Sequence, residues 1–75
     1  AASIKYYPVE IDWFNGIWYL TMTESKYSDM IGMQVTEING TSMDKVLKKF
    51  APFISFDNDV KLRRQSSEVR YSIGR

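Results

Sequence analysis

Three groups of side chains in this chain have the types and spacings to do chemistry. Asp57-Asn58-Asp59 gathers acids and an amide, the oxygen donors that hard cations such as calcium take. The spaced ligands and distal glutamate of a calcium loop do not follow, so helix capping accounts better for this cluster and for Asn39. Serines and lysines are plentiful, but a serine becomes a nucleophile only beside a depressed-pKa base in a water-excluded pocket. No segment suggests such a pocket. With no histidine and no cysteine, the usual general base, the commonest metal ligand and a thiol nucleophile are missing. The sequence therefore points away from catalysis, metals and cofactors. Trp13, Trp18 and Tyr19 are large enough to anchor a bound segment at low entropic cost, or to fill the core of a small sheet. Lys45 and Lys49, one helical turn apart, suit an acidic peptide or simple solvation.

Composition bounds the rest. Seventy-five residues make one domain with a modest core, near the size at which burial only just offsets chain entropy. A hydrophobic content of 44% and aromatic content of 15% argue against disorder. Net charge is +1, yet it is unevenly spread. Residues 1–39 carry Lys5 and Lys26 against Glu10, Asp12, Glu24, Asp29 and Glu37, a balance of −3, and residues 40–75 carry +4. Solvated surface explains that asymmetry better than a basic face. Arg63, Arg64, Arg70 and Tyr71 make only a weak nucleic-acid footprint, so no nucleic-acid partner is expected. No apolar run reaches membrane-spanning length, and the start has no signal-peptide pattern. The chain reads as a piece of something longer.

These residues need elements to position them. Ile4–Ile11 is rich in β-formers and interrupted by Pro8, which predicts an edge strand or a strand with a break. Asn15-Gly16 predicts a tight turn joining the strand that ends at Phe14 to Ile17–Met22, because both residues tolerate positive φ. Trp18 and Tyr19 then point to opposite faces, one inside and the other partly exposed. Ser25 or Ser28 can cap a short helix ending at Gly32. Met33–Ile38 alternates as a half-buried strand into the Asn39-Gly40 turn. Ser42 is the expected N-cap of a helix from Met43 or Asp44 to about Ala51. Its apolar face is Val46, Leu47, Phe50 and Ile54. Asp44 stands near the positive helix end, and Lys48 and Lys49 near the negative one. Residues 57–73 read two ways. The charge polarity of Asp57 and Asp59 before Lys61, Arg63 and Arg64 favours a helix over 57–65, whereas Val60, Leu62, Val69, Tyr71 and Ile73 alternate like a hairpin. The helix is the expectation, and either outcome gives an α+β fold with an antiparallel sheet.

The order of the motifs carries a resemblance. Asp12-Trp13-Phe14-Asn15-Gly16-Ile17-Trp18-Tyr19-Leu20, then Tyr27-Ser28-Asp29-Met30-Ile31-Gly32, Ile38-Asn39-Gly40, Val46-Leu47 and Phe53-Ile54-Ser55-Phe56-Asp57-Asn58-Asp59 occur as a series. It resembles the N-terminal PDZ-like region of bacterial proteins related to the C-terminal processing, or tail-specific, serine peptidases. The likeness covers residues 11–59 and fades beyond them. It implies a PDZ-like antiparallel sheet or partial barrel with two or three short helices, in an extracytoplasmic protein of the cell envelope or secreted. In such peptidases a Ser–Lys pair on a separate C-terminal domain does the chemistry, and nothing here corresponds to that domain. The implied role is recognition, with a peptide or protein C-terminus added as a strand beside Ile17–Leu20. Phe14, Asn15, Gly16, Ile17, Trp18, Tyr19 and Leu20 would form loop and strand, and Lys45, Val46 and Lys49 the helical wall. Asn15 stands where the family loop often has its first glycine, so Asn15-Gly16 reads more simply as a hairpin turn than as a carboxylate-binding loop. The alternative role is structural, a domain that packs on the parent protein's own C-terminal domain and orients it.

Overall fold

The computed structural model describes residues 2–6, 8–50 and 57–73, the side chains of Tyr6, Lys49 and Phe50 excepted. Its strands are β1 (Ala2–Tyr6), β2 (Val9–Phe14), β3 (Ile17–Met22), β4 (Gln34–Ile38), β5 (Thr41–Ser42), β6 (Asn58–Arg64) and β7 (Ser67–Ile73). A 3-10 helix over Ser25–Met30 links β3 to β4. Helix α1 (Met43–Lys45) continues as a wider π-type turn over Val46–Phe50. Among the described residues the strands form one antiparallel sheet in the order β1-β2-β3-β4-β6-β7, with β5 paired to β4. The protein is a small α+β domain built on that sheet.

Alternation decides which face is buried. Ile4, Ile11 and Leu20 stand opposite one another across β1, β2 and β3. Val35, Leu62 and Val69, and Ile38, Val60 and Tyr71, do the same across β4, β6 and β7. Met33, Met43 and Val46 complete the core beneath them. Fully burying one such aliphatic side chain contributes about 1.5–3 kcal/mol. The sheet also curls: Ile4 of β1 and Ile73 of β7, from its two ends, line the same cavity of about 20 Å³ with Ile11, Ile38 and Val60. On the outer face a register row runs Ser3–Asp12–Tyr19–Gln34–Arg63–Glu68 across six strands.

Both Asn-Gly turns form as their residues dictate. Asn15 and Gly16 have φ of 56° and 86°, Asn39 and Gly40 of 52° and 78°, the paired positive φ values of a two-residue type I′ hairpin. The break at Pro8 is a chain reversal, so β1 folds back to pair with β2 from Tyr6↔Val9 to Ala2↔Trp13. Trp18 is buried and Tyr19 half-buried on the opposite face. The end of the expected helix at Ala51, and Ile54 on its apolar face, lie outside the described residues. Within them Val46 is buried and Leu47 half-buried against the core.

Three expectations are corrected. Residues 57–65 are not a helix: β6 and β7 form a hairpin turning at Gln65 and Ser66, paired from Arg64↔Ser67 to Asn58↔Ile73. Charge polarity along a helix is worth only about 0.3–1 kcal/mol per group, less than burying any one of Val60, Leu62, Tyr71 or Ile73 on a common face. Asn39 caps no helix either. Its side-chain amide donates to Asn58 Oδ1 (3.0 Å), its Oδ1 accepts from the Asp59 N–H (2.8 Å), and its own N–H donates to the Asp59 carbonyl (2.7 Å). The β4–β5 turn is thereby fastened to the start of β6. Ser42 precedes α1 in extended conformation, but its side chain makes no capping hydrogen bond.

Candidate functional site

The β3–β4 junction departs from the regular ladder. It holds one register pair, Tyr19↔Gln34. On one side of that pair Leu20 N–H donates to the Met33 carbonyl (2.9 Å) and Gly32 N–H to the Leu20 carbonyl (2.8 Å). On the other side, towards Ile17, the strands part. A groove of about 240 Å³ opens there, lined by Gly16, Ile17 and Trp18 of the first hairpin, Gln34, Val35 and Thr36 of β4, and Ser42, Met43 and Asp44 where α1 begins. Backbone groups alternate sides along a strand with period two. The N–H and C=O of Trp18 therefore face the same side as those of Leu20, which is the groove side.

The sheet pairing explains why the strands part here. Thr36 sits in an irregularity of β4, between Val35↔Leu62 and Glu37↔Lys61, and its hydroxyl donates to the Lys61 carbonyl at 3.0 Å. Such a bulge bends a strand and raises its twist, and it falls where β4 stays paired with β6 and no longer with β3. Glu37 and Ile38 pair onward with both β5 and β6. The β4–β5 turn then delivers α1 directly over the gap.

The residues anticipated from sequence do not gather in one place. Gly16, Ile17 and Trp18 line the groove. Leu20 and Val46 are core residues, and Tyr19 lies on the outer face opposite Asp12 and Gln34. Phe14 is 69% exposed at the hairpin tip beside Asn15, Lys45 is exposed on α1, and Lys49 lies in the π-type turn. Sequence reasoning missed Gln34, Thr36, Ser42, Met43 and Asp44. They join the site only because β4 splays from β3, and no local pattern announces a splay. Trp13, 39% exposed, stands opposite Trp18 in register but outside the groove lining.

Among the described residues charges of both signs share β4, β6 and β7, although Lys61 also stands opposite Arg70. On β4, β6 and β7, Glu37 stands opposite Lys61 and Glu68 opposite Arg63. Lys61 Nζ also lies 3.6 Å from Glu68 Oε1. Carboxylates thus interleave the cations, as a solvated surface would have it. At a second concavity of about 170 Å³, Arg64 Nη2 donates to the Asp29 carbonyl at 2.7 Å. That bond ties the 3-10 helix to the β6–β7 turn. Among the described residues no group of three or more acids could hold a metal ion, and no helix is long and apolar enough to cross a membrane. No protein-family model matches the chain, nor does any curated protein or solved structure.

Proposed function

We propose that this domain is a recognition module of the PDZ-like kind, which takes an extended segment of a peptide or partner protein by strand addition. The observation that carries this reading is the groove at the splayed end of β3. There the ladder stops at Tyr19↔Gln34 while β3 continues to Ile17, and α1 supplies the opposite wall. Strand addition uses main-chain hydrogen bonds for affinity and side-chain pockets for specificity. Only Ile17 and Trp18 extend past the last pair, and of these two only Trp18 turns its backbone groups to the groove side, since Ile17, one residue off in the alternation, faces β2, with which it pairs. The expected addition along the whole of Ile17–Leu20 is therefore narrowed to the main chain at Trp18, since Leu20 is bonded to Gly32 and Met33 and Ile17 faces β2. A related extracytoplasmic peptidase-like parent remains the proposed setting.

The test is a titration of the domain with a library of extended peptides, with free and amidated C-termini. It is followed by Trp fluorescence and by amide shifts at Gly16–Trp18, Gln34–Thr36 and Ser42–Asp44. Saturable shifts confined to those three segments are expected. Silence up to millimolar peptide would overturn the reading in favour of a structural one, in which the domain docks on the parent protein's C-terminal domain. A specific feature favours that second reading: Trp13 and Phe14 expose 39% and 69% of their surface at the tip of the first hairpin, the kind of apolar area that partners cover.

A further inference from the structure

We infer that the segment taken by this groove is cationic: an internal stretch of peptide carrying a lysine or arginine, held by its side chain on Asp44 rather than by a C-terminal carboxylate. The inference rests on the strand-addition reading and adds the chemistry of the ligand. An edge at which only Trp18 turns its backbone groups to the groove provides few main-chain bonds, so side chains must supply most of the discrimination. Of the described residues lining the groove, Gly16, Ile17, Trp18, Gln34, Val35, Thr36, Ser42 and Met43 are uncharged, and Asp44 is the one that carries charge. Asp44 is exposed, and among the described residues it forms no ion pair. Lys45 follows it in α1, exposed but outside the lining.

A free carboxylate finds nothing comparable. Among the described residues no lysine or arginine lines the groove. A backbone anion nest needs successive N–H groups turned to one point, typically by residues of alternating handedness. Asn15 and Gly16 both have positive φ, the same handedness, and their turn closes the Phe14↔Ile17 pair. A carboxylate at this end would also meet the Asp44 carboxylate across the groove. A lysine or arginine side chain meets the opposite situation. Its aliphatic stem can lie along Ile17 and Met43 while its charged end reaches Asp44 and the Ser42 hydroxyl, which is not engaged in capping.

The experiment uses N-acetylated, C-amidated octapeptides with threonine and valine flanks and a central Lys, norleucine or Glu, plus the norleucine peptide with a free carboxylate. Each is titrated at low salt into the protein and into its Asp44→Asn and Asp44→Glu variants, with the amide shifts of Gly16–Trp18 locating the site. The expected result is that the Lys peptide binds about three- to tenfold more tightly than the norleucine peptide, the range of one partly solvated ion pair. That preference should disappear in Asp44→Asn, persist in Asp44→Glu and shrink as salt is added. Equal affinities for Lys and norleucine, or tightest binding by the free carboxylate, would overturn the cationic ligand and leave the groove reading standing. Shifts that bypass Gly16–Trp18 with every peptide would overturn both.

Discussion

The two halves of this sheet are held together differently. β6 and β7 pair along seven residues without interruption, and β4 joins β6 through four more. β1, β2 and β3 are likewise paired five residues at a time. Between these halves stands a single register pair, Tyr19↔Gln34. Main-chain pairing thus makes a three-stranded unit, β1–β3, and a four-stranded one, β4–β7, and the side chains beneath must make them one. Leu20 from the first unit and Leu62 from the second are both fully buried in the common core. The lesson is that an opening in the ladder is tolerated where packing, rather than hydrogen bonding, carries cohesion across the seam. The groove occupies that opening.

The largest expected effect tests this directly. Leu20→Ala and Leu62→Ala each remove a fully buried side chain, and each should cost about 2–5 kcal/mol in urea denaturation. For a chain of this length that is a large share of a total of roughly 4–11 kcal/mol. The two should differ in where the damage appears. Leu20 sits at the seam, its backbone bonded to Gly32 and Met33. Its truncation should speed hydrogen exchange in β1–β3 ahead of β6–β7, a local opening below the global one. Leu62 lies between β4 and β7, within the uninterrupted β6–β7 ladder, and its loss should accelerate exchange throughout. Identical exchange patterns in the two variants would erase the distinction between the halves.

Asn39 sharpens the comparison from the other side, because it fastens the β4–β5 turn to β6. Asn39→Ala removes the bonds to Asn58 Oδ1 and the Asp59 N–H, and it places an alanine at a φ of 52°. Lost hydrogen bonds of this kind cost about 1–3 kcal/mol, and left-handed backbone adds about 1–2 for a residue other than Gly or Asn. Asn39→Gly loses the same bonds without that backbone strain. The expected order of denaturation midpoints is Asn39, then Gly, then Ala. Equal midpoints for the Gly and Ala variants would show that backbone strain contributes nothing here.

The sequence made the sheet legible where a residue's chemistry fixes local geometry. Asn15-Gly16 and Asn39-Gly40 announced two turns because few other pairs accept positive φ at both positions. Alternation then placed Trp18 and Tyr19 on their proper faces. At 57–65 charge polarity misleads where alternation is right, because burial of the alternating side chains outweighs the helix-end charges. For the site, Gly16, Ile17 and Trp18 were legible through the turn and strand they belong to. Asp44, Ser42 and Gln34 were not, since their meeting depends on a bulge at Thr36 and a strand pairing 25 residues distant in sequence. Asp44 was read only as a helix-end charge. The same position gives it a second use that only tertiary placement reveals.

The smallest effect concerns the side-chain seam itself. Tyr71 of β7 packs its ring 4.5 Å, centre to centre, from that of Tyr27 in the 3-10 helix linking the two halves. Its hydroxyl is buried beside that of Thr23 at the end of β3, and neither these two oxygens nor Glu24 Oε1 has a hydrogen-bond partner among the described residues. Burial pushes the Tyr71 phenol above its ordinary value of 10.0, the nearby Thr23 hydroxyl works against that shift, and Tyr27, Glu24 and Asp29 add to it. A raised folded-state value means that the unfolded chain releases this proton first. Below pH 10 both states hold it and stability is unaffected. Above pH 10 the unfolded state holds fewer protons, so stability falls with rising pH until the folded-state value is passed. Tyr71→Phe keeps the ring and removes both the titrating proton and an unpartnered buried oxygen. Near neutral pH its stability should therefore lie within about 1 kcal/mol of the unaltered protein. Its loss of stability between pH 9 and pH 11.5 should be shallower, measured as denaturation midpoint against pH. If the two profiles run parallel, the phenol is not desolvated by the seam, and cohesion between the halves rests on the aliphatic core alone.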